Sequence, residues 1–491
     1  MAGGRPALVW RTLIADSDTP VGAARRLIVA GRGDFLLESV EGGEVRGRYS
    51  LLGLDPDLVF RASGNRAEIN PRWSVDREAF AACQGDALDE LRALVAACRI
   101  DVPEALPGVL ACVVGYFGYE TIGLVETLPR APESELALPD MLFVRPRLIL
   151  VFDGLSDELF CVAPLWPDPE ADPASAIEGA GERIDEALRS LSAPAPAAPR
   201  AAPDTPEPAP EPVMAAEDYR AMVARAKDYI VAGDIFQVVL AQRFTCPFAL
   251  PPLELYRALR RVNPSPFLYF LDLPGFAIVG SSPEILVRVR DGEVTIRPIA
   301  GTRPRGGTRA EDDENEASLL ADPKERAEHL MLLDLGRNDV GRVARAGSVE
   351  VTDSFGIERY SHVMHIVSNV VGELAPERDA LDALFAGFPA GTVSGAPKIR
   401  ACEVIAQLEP ETRGAYAGGV GYFAPDGSVD SCIVLRTAVV KDGTMHVQAG
   451  AGIVADSDPE YELAECRAKA GALFAAAREA VREASKPGFG Q

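Results

Sequence analysis

Residues 416–454 read YAGGVGYFAPDGSVDSCIVLRTAVVKDGTMHVQAGAGIV, and this stretch decides the fold. Its apolar runs are separated by Asp426-Gly427 and Asp442-Gly443, and Asp-Gly pairs are typical of tight turns between antiparallel strands. Asp458-Pro459 follows as the start signal of a helix that runs to about Ala480. We therefore predict an antiparallel meander and then a helix, with strands over Tyr416–Phe423, Ser431–Val440 and Thr444–Val454.

The chain before this stretch has the same kind of pattern. Two more strand pairs are predicted around the turns Asp153-Gly154 and Asp291-Gly292. Helices are then expected to dominate as far as about Leu408. Strands grouped apart from helices indicate an α+β fold of antiparallel β-sheets with flanking helices. The predicted elements are strands Met141–Phe152, Glu158–Pro164, Phe236–Phe244, Pro266–Leu271, Glu284–Arg290 and Glu293–Ile299, and a helix Ala216–Ala232.

A proline-rich segment divides the chain. Residues 192–213 contain eight prolines and no aromatic residue. Such a segment cannot bury a core, so we expect an extended, mobile linker. It separates an N-terminal region, residues 1–191, from a longer C-terminal region, residues 214–482, which is followed by a tail at residues 483–491.

Composition excludes several functional classes. The net charge of −24 argues against nucleic acid or an anionic membrane as a partner, because like charges repel. No apolar run reaches the roughly 18 residues of a membrane span, and Met1–Pro6 lack the apolar stretch of a signal peptide. The eight cysteines form no C-x-x-C pair, which indicates reduced thiols rather than disulfides or a zinc site. We expect a cytoplasmic protein.

Two predicted helix starts have the same sequence pattern, in which an Asp-Pro pair is followed by E-x-x-E. The first pair of acids is Glu325 and Glu328, and the second is Glu462 and Glu465. An acid on an apolar stripe is costly unless it is paired or metal-bound, and magnesium prefers oxygen ligands. The alternative is that Glu325 closes a capping box while the other acids are solvated. Glu328 falls in line with Met331, Leu332 and Leu335, and Glu465 with Tyr461, Ala468 and Ala472.

Arg436 and His365 are two further candidates. Arg436 lies in a predicted strand with apolar residues on both faces, and a buried guanidinium requires an anion. That anion is either a structural carboxylate or a substrate carboxylate. His365 lies in a segment predicted to enter a helix, where it is either structural or an acid or base.

Three glycine-containing loops offer backbone N–H groups that can hold carboxylates, although each is also compatible with a plain turn. The second loop is not a phosphate loop, because Ala396 stands where that motif needs glycine. The loops are Ala300-Gly301-Thr302, residues 391–398 and Gly450-Ala451-Gly452.

Seven strings in the C-terminal region closely resemble the chorismate-utilising enzyme family, and the similarity covers nearly all of residues 216–480. Two N-terminal strings, LLES (36–39) and RYSLLG (48–53), resemble the regulatory part of its anthranilate-forming members. The resemblance implies the shared fold of anthranilate and aminodeoxychorismate synthases, with residues 214–482 as the chorismate-binding catalytic domain. The seven strings are PIAGTRPRG (298–306), KERAEHLMLLDLGRND (324–339), RYSHVMH (359–365), GTVSGAPK (391–398), GYF (421–423), CIVLRT (432–437) and QAGAGIVADS (448–457).

The resemblance also implies roles for single residues. Glu328 and Glu465 match magnesium-binding glutamates, and Glu325 and Glu462 match their supporting or acid-base partners. His365 matches a catalytic histidine. Chorismate-binding or neighbouring positions are Gly301, Thr302, Thr392, Lys398, Tyr416, Arg436, Gly450, Ala451 and Gly452.

The implied reaction is a magnesium-dependent amination of chorismate at C2 by ammonia, followed by elimination of pyruvate to give anthranilate. An acid must protonate the departing 4-hydroxyl, and His365 or Glu325 is suitable. Aminodeoxychorismate synthases of the covalent type, the nearest alternative, carry a lysine where this chain has Ala300. Relatives that activate water use a lysine where this chain has Gln237. A catalytically silent amino-acid sensor is the alternative from another class, but it has no use for these acids.

Ammonia supply and regulation imply two further partners. None of the eight cysteines lies in the Gly-x-Cys-x-Gly type of turn that a glutaminase needs, so ammonia is expected from a separate glutamine amidotransferase subunit in a hetero-oligomer. The N-terminal region is expected to carry part of a regulatory site for L-tryptophan, the feedback inhibitor. By resemblance that site contains Ser39, Pro266, Phe267 and Leu268, bordered by Tyr422 and Cys432.

Overall fold

The computed structural model describes residues 6–41, 45–167, 172–197, 199–202, 205–360 and 363–486. Within these residues, 22 strands form one hydrogen-bonded antiparallel network. The strands of the first half are β1 Ala7–Ile14, β2 Asp34–Glu41, β3 Val45–Ser63, β4 Arg66–Asn70, β5 Ala81–Ala82, β6 Val113–Phe117, β7 Met141–Asp153, β8 Glu158–Leu165, β9 Glu211–Pro212 and β10 Gln237–Pro247.

The second half adds β11 Phe267–Leu273, β12 Phe276–Ser282, β13 Ile285–Arg290, β14 Glu293–Ile296, β15 Ile299–Pro304, β16 Glu350–Arg359, β17 Val363–Glu373, β18 Gly395–Ala396, β19 Gly419–Phe423, β20 Val429–Ile433, β21 Thr437–Lys441 and β22 Thr444–Ile453. The helices are α1 Pro20–Leu27, α2 Ala87–Ala97, α3 Pro173–Ser192, α4 Ala216–Val231, α5 Pro252–Val262, α6 Arg309–Ala321, α7 Pro323–Gly341, α8 Ala380–Gly387, α9 Lys398–Leu408 and α10 Pro459–Ala484, with 3-10 turns at Tyr119–Leu124 and Gly391–Val393.

The predicted hairpins and the C-terminal meander are confirmed. The turns of β13–β14 and β21–β22 are Asp291-Gly292 and Asp442-Gly443, and all four residues have positive φ, between 49° and 76°. This conformation matches the twist of paired strands, and glycine adopts it without steric cost. The predicted strand Ser431–Val440 is wrong in one respect, because it is broken into β20 and β21 by Arg436 at φ 46°.

The prediction that helices dominate as far as Leu408 is also wrong. Strands β16 and β17 pair within this range, and His365 lies in β17 rather than at the start of a helix. The run from Val363 to Val371 is rich in β-branched residues, which favour a pleated strand. Because it is buried on both faces over much of its length, it lacks the alternation that identifies a half-exposed strand.

The N-terminal and C-terminal regions share the network of strands. β2 pairs with β11, so that Ser39 lies opposite Phe267. β6 pairs with β19, and the Phe143 ring of the neighbouring strand packs 6.1 Å from the Phe423 ring. Between Ser192 and Val213, the described residues contain only the two-residue strand β9. The domain boundaries drawn from the proline-rich segment stay a prediction. No helix in the described ranges is both long and apolar enough to cross a membrane.

Candidate active site

The two predicted Asp-Pro helix starts are confirmed. The Asp322 carboxylate accepts hydrogen bonds from the backbone N–H groups of Lys324 and Glu325, and Asp458 does the same for the first turn of α10. These caps satisfy N–H groups that have no partner inside the helix. The capping-box alternative for Glu325 is wrong, because its carboxylate lies 3.2 Å from Arg303 instead.

The acids of the two helices differ in burial. Glu328 lies beside the buried Leu332, as its apolar stripe predicts. The apolar stripe predicted for Glu465 is wrong, because Tyr461 is 67% exposed while Glu462 is only 6% exposed. Alanine is compatible with either environment, and a tyrosine can keep its polar end in water, so neither residue fixes the buried face. The buried face of α10 is formed by Leu463, Cys466, Ala470 and Leu473.

A lysine connects the acids of both helices. The Lys469 ammonium lies 2.7 Å from Glu465 and donates a hydrogen bond to the Gly450 carbonyl at 3.0 Å. Burial raises the pKa values of Glu328 and Glu462, and the charge of Lys469 opposes both shifts. The two helix starts therefore meet in one electrostatic cluster. Lys469 was not among the predicted site residues, although its i,i+4 spacing from Glu465 is a recognisable ion-pair signal.

This cluster offers a magnesium ion two carboxylate ligands but not a complete protein cage. Glu328 and Glu465 offer carboxylate oxygen, the ligand type that magnesium prefers. The Gln237 amide lies 3.4 Å from Glu328 and orients that carboxylate. Over the ranges that the structure describes, no three His, Cys, Asp or Glu side chains converge as a complete metal cage. Magnesium commonly uses one or two carboxylates and completes its octahedron with water and substrate oxygens.

His365 lies in β17 opposite Thr302 of β15. Its Nδ1 is 2.9 Å from the Gly301 carbonyl oxygen and 3.1 Å from the Thr302 hydroxyl. Burial lowers the pKa of His365 to about 4, so the ring is neutral at pH 7. A neutral ring that donates Nδ1–H to the carbonyl leaves Nε2 with a free lone pair. His365 therefore presents an unprotonated nitrogen at pH 7, and the same burial that lowers its pKa makes it a weak base.

Glu284 is a candidate site residue whose role as a proton donor the sequence did not reveal. It lies between β12 and β13, is 6% exposed, and accepts a hydrogen bond from the Thr392 hydroxyl at 3.1 Å. Burial raises the pKa of Glu284 to about 8. The group is therefore mainly protonated at pH 7 and can donate a proton. The only sequence signal is an acid after Pro283 among apolar strand residues, which also fits a strand end.

Arg436 is half-buried and close to His365 and Tyr360. Burial lowers the pKa of its guanidinium, and the nearby Tyr360 opposes that shift. No carboxylate of a described residue lies within 4.0 Å of the Arg436 guanidinium, so the structural-carboxylate alternative has no support in the part of the chain that is described. The guanidinium is available to an external anion.

Close packing explains the glycines of β22. A side chain at Gly450 would come within 2.8 Å of the Tyr416 hydroxyl, and one at Gly452 within 2.6 Å of the Gln237 amide. The prediction of a loop at Gly450-Ala451-Gly452 is wrong, because these residues pair with β10 as part of β22, and their close packing depends on the absence of a Cβ atom at both glycines. The side chain of Ala451 is buried, so only its backbone can serve a ligand.

Lys398 lies at the end of the predicted glycine loop. Its ammonium is buried and lies 2.9 Å from both oxygens of the Asp339 carboxylate. This ion pair connects α9 to α7. A direct contact of Lys398 with substrate stays a prediction.

The residues expected to bind tryptophan lie partly together. Ser39 and Phe267 are cross-strand neighbours, and Phe267 and Tyr422 pack against the apolar cluster that contains Cys432. A cavity of about 260 Å³ lies beside Tyr422. Leu268 is buried on the opposite face of β11, so its side chain does not share this surface. The cavity is lined by Tyr49, Gly108, Val109, Val289, Arg290, Asp291, Tyr422, Ala424, Asp426, Ser428, Val429 and Asp430.

Comparison with known proteins places this chain in a family. Residues 34–475 match the family model described as chorismate binding enzyme. The chain belongs to the chorismate-binding enzymes. A relative named anthranilate synthase component 1, from Cereibacter sphaeroides, is 54% identical over 99% of this chain and 97% of its own length. The protein of that name from Pseudomonas aeruginosa is 47% identical over 96% of this chain and 95% of its own length.

Solved structures of chorismate-binding enzymes agree with the fold. The structure of anthranilate synthase component I from Streptococcus pneumoniae has a TM-score of 0.77 at 36% identity and covers 94% of this chain and 99% of that one. The menaquinone-specific isochorismate synthase from Escherichia coli has a TM-score of 0.71 at 20% identity, covering 96% of this chain and 95% of that one, which shows the shared fold alone. The family resemblance and the α+β fold predicted from the sequence are confirmed.

Proposed function

We propose that this chorismate-binding enzyme converts chorismate and ammonia to anthranilate, pyruvate and water with the help of magnesium. The observation that carries the proposal is 54% identity, over 99% of the chain, to a protein named anthranilate synthase component 1. The site chemistry supports it, since neighbouring side chains supply acids for a cation, a guanidinium for an anion, a protonated acid and a neutral imidazole.

Substrate binding uses the positive groups and backbone donors of the cleft. Arg436 and Lys469 are the cations that receive the carboxylates of chorismate, with help from the backbone around Gly450 and from Tyr416. Glu328 and Glu465 would hold the magnesium ion, which when bound would supply Lewis-acid stabilisation of negative charge on the substrate. Glu325 and Glu462 support these two carboxylates.

The proton transfers are assigned from the pKa shifts. Glu284, protonated and held by Thr392, donates its proton to the departing 4-hydroxyl, which leaves as water while the nitrogen of ammonia bonds to C2. His365, neutral and fixed by Gly301, accepts the C2 proton as the C3–O bond breaks. The enolpyruvyl group leaves as the enolate of pyruvate and takes back, on its methylene carbon, the proton that His365 removed. The extra proton of the newly bonded nitrogen returns Glu284 to its acid form, and the ring becomes aromatic. Glu284 is better suited to the acid role than His365 or Glu325.

Two positions argue against other reactions of the family. Ala300 offers no amine for a covalent intermediate. Gln237 cannot act as a base toward water, and its amide lies against Glu328 instead. Ammonia therefore has no competing nucleophile among these side chains. Aminodeoxychorismate formation is the second candidate, since it shares the substrate and the amine donor.

The test is an assay of the purified chain with chorismate, magnesium chloride and ammonium salt. Fluorescent anthranilate and an equal amount of pyruvate are expected. An aminated product without fluorescence would instead favour aminodeoxychorismate formation. With glutamine replacing ammonium, the lone chain is expected to make no product, because ammonia comes from a separate glutaminase subunit in a cytoplasmic hetero-oligomer. Anthranilate from glutamine alone would contradict that partner.

Feedback inhibition by tryptophan belongs to the same proposal. The cavity beside Tyr422 and Tyr49 has an aromatic wall, and its lining includes the ion-paired Arg290 and Asp430, which can exchange their mutual contact for the two charges of a zwitterion. Ser39 and Phe267 lie on the neighbouring strand pair. We place the amino-acid effector at this surface.

A further inference from the structure

Arg413 has an unusually complete set of buried partners. Its side chain is 1% exposed and that of Glu409 is 3% exposed. Arg413 donates from Nε at 2.9 Å and from Nη2 at 2.6 Å to the two oxygens of Glu409. A buried ion pair is stabilising only when its geometry is good and its remaining groups find partners.

The remaining hydrogen bonds of the guanidinium go to the backbone of the Thr392 turn and of strand β10, which both border the candidate active site. Nη1 of Arg413 donates to the Val393 carbonyl at 2.8 Å, one residue from Thr392. Nη2 donates to the Val239 carbonyl at 2.8 Å, in β10. Glu409 accepts the backbone N–H of Ala241 in the same strand at 2.9 Å. Across β10, Val239 and Ala241 pair with Gly452 and Gly450 respectively.

The face of the guanidinium contacts two aromatic rings. It lies 4.6 Å from the centre of the Tyr119 ring and 5.6 Å from that of Tyr416. Tyr416 is the residue whose hydroxyl fills the space in front of Gly450. Arg413 therefore contacts the Thr392 loop, the strand behind Gly450 and the Tyr416 ring at once.

The N-terminal region fixes the backbone of Arg413. Glu120, shortly after β6, accepts the backbone N–H groups of Arg413 at 2.7 Å and Gly414 at 3.0 Å. In return, the Tyr119 N–H donates to the Gly414 carbonyl at 2.8 Å. This two-way backbone contact comes from the region that also supplies part of the proposed effector surface.

We propose that Arg413 is a positioning residue for chorismate, held in place by Glu409 and, from the N-terminal region, by Glu120. The inference rests on the proposed function, because Tyr416, Thr392 and Gly450 are assigned to the substrate there. Arg413 touches no substrate. It fixes the separation of three elements that do, and a guanidinium is the one side chain with enough donors in a rigid plane for this set of contacts.

The test compares Arg413→Lys and Glu120→Gln with a matched control, Asp34→Asn. Asp34 is also buried and also accepts two backbone N–H groups, from Val29 and Asp55. Lysine keeps the charge opposite Glu409 but loses the planar fork. The readouts are unfolding by urea, calorimetric titration with chorismate, calorimetric titration with magnesium chloride alone, and steady-state kinetics with ammonium.

Arg413→Lys is expected to lower kcat/KM for chorismate by about 100-fold, the order expected when reacting groups shift by about 1 Å. Glu120→Gln is expected to act in the same direction with a smaller effect. Magnesium binding in the absence of chorismate should be unchanged, because Glu328 and Glu465 keep their places. Asp34→Asn should lose stability and keep wild-type kcat/KM and chorismate affinity.

Wild-type chorismate affinity and kcat/KM in both site variants would overturn the inference. An equal loss of activity in Asp34→Asn would also overturn it, because general destabilisation would then explain the result. If Arg413→Lys does not fold, Glu120→Gln decides by the same criteria. A wild-type chain that binds chorismate but makes no anthranilate overturns the proposed function, and the chorismate affinities of the variants still decide the inference.

Discussion

Glu284 and His365 both lie near Tyr360, but at pH 7 Glu284 carries a proton that it can donate and His365 carries an unprotonated ring nitrogen. Burial raises the pKa of Glu284 to about 8 and lowers that of His365 to about 4. Each group is therefore neutral at pH 7, since burial disfavours the charged form of both. The sequence predicted His365 and Thr392 through their motifs. It could not reveal Glu284, because a strand-end acid looks the same whether it is buried or solvated.

Glu284→Gln should abolish most turnover and change the pH profile. In the wild type, kcat/KM at constant free ammonia is expected to fall above about pH 8, as Glu284 loses its proton. The glutamine variant has no proton to lose, so its residual activity should lack this fall. Steady-state kinetics of the wild type and the variant from pH 6 to 9 measure this fall in kcat/KM. An identical high-pH limb in the variant would remove Glu284 from the acid role.

The same shift affects stability with a definite sign. Between the ordinary value of 4.5 and about 8, the folded protein keeps a proton on Glu284 that the unfolded chain has released. The contribution of Glu284 to the free energy of unfolding is therefore full below about pH 4.5 and is lost as the pH rises through about 8. Urea titrations of wild type and Glu284→Gln across this window should diverge accordingly.

Glu328→Gln and Glu465→Gln should each weaken magnesium binding, measured calorimetrically with chorismate present, and turnover should fall with it. Each change keeps the shape but removes a carboxylate charge. The loss should exceed the roughly 10–100-fold that is typical of residues that only support a ligand, as expected for Glu325→Gln and Glu462→Gln. Folding should survive, since repulsion among the acids is relieved. Wild-type magnesium affinity in both ligand variants would eliminate the proposed site.

At the scale of elements, turn and cap residues made the sequence most informative. Asp-Gly pairs predicted the β13–β14 and β21–β22 hairpins, and Asp-Pro pairs predicted the starts of α7 and α10, because each pattern has a local cause. β17 was missed since its burial depends on partners far along the chain. The break at Arg436 is equally non-local, because it follows from how β20 and β21 pair with different strands, β13 and β12.

The cap of α10 should matter both for stability and for the metal. Asp458→Ala removes the acceptor of two backbone N–H groups and is expected to lower the free energy of unfolding by about 1 kcal/mol. Magnesium affinity should also fall, because Glu462 and Glu465 lie in the first two turns of this helix. Asp172→Ala is the matched control, since it caps α3 through Ser175. Asp172→Ala is expected to lose a similar amount of stability without weaker magnesium binding. Weaker magnesium binding in both variants would contradict the idea that the α10 cap acts locally on the metal site.

At the scale of the whole molecule, the N-terminal and C-terminal regions form one antiparallel network. The proposed effector surface and the candidate active site are connected through β6 and β19. Strand β6 is followed by Glu120, and Tyr416 lies shortly before β19. The described residues of the proline-rich segment have little regular structure, and its role as a linker between domains stays a prediction. The composition of this segment gives no information on which N-terminal strands pair with which C-terminal strands, because the register of strand pairing depends on the burial of distant partners.

Ser39→Phe tests communication across this network. The Ser39 hydroxyl lies directly over Gly47, and Phe267 is the cross-strand neighbour of Ser39, so a phenyl ring at position 39 has to displace its neighbours on this surface. Turnover without tryptophan is expected to stay near the wild-type value, while tryptophan inhibition is lost. A coupling of about 1–3 kcal/mol between bound tryptophan and bound chorismate corresponds to roughly a 5–150-fold change in the affinity for either ligand when the other is bound. Inhibition curves with ammonium as the amine donor measure this, and unchanged inhibition would exclude Ser39 from the effector surface.

The pairing of β2 with β11 and of β6 with β19 also constrains how the chain can be cut or made. Residues 34–39 pair with β3 on one edge, but on the other edge their partners in β11 are synthesised more than 200 positions later, so this second pairing is a long-range, slow event. A fragment that begins near residue 214 would carry every predicted catalytic group yet present β11 and β19 as open strand edges, which invite aggregation. We expect such a fragment to be insoluble on its own, and to be recovered in soluble form when the first 191 residues are co-expressed as a separate chain.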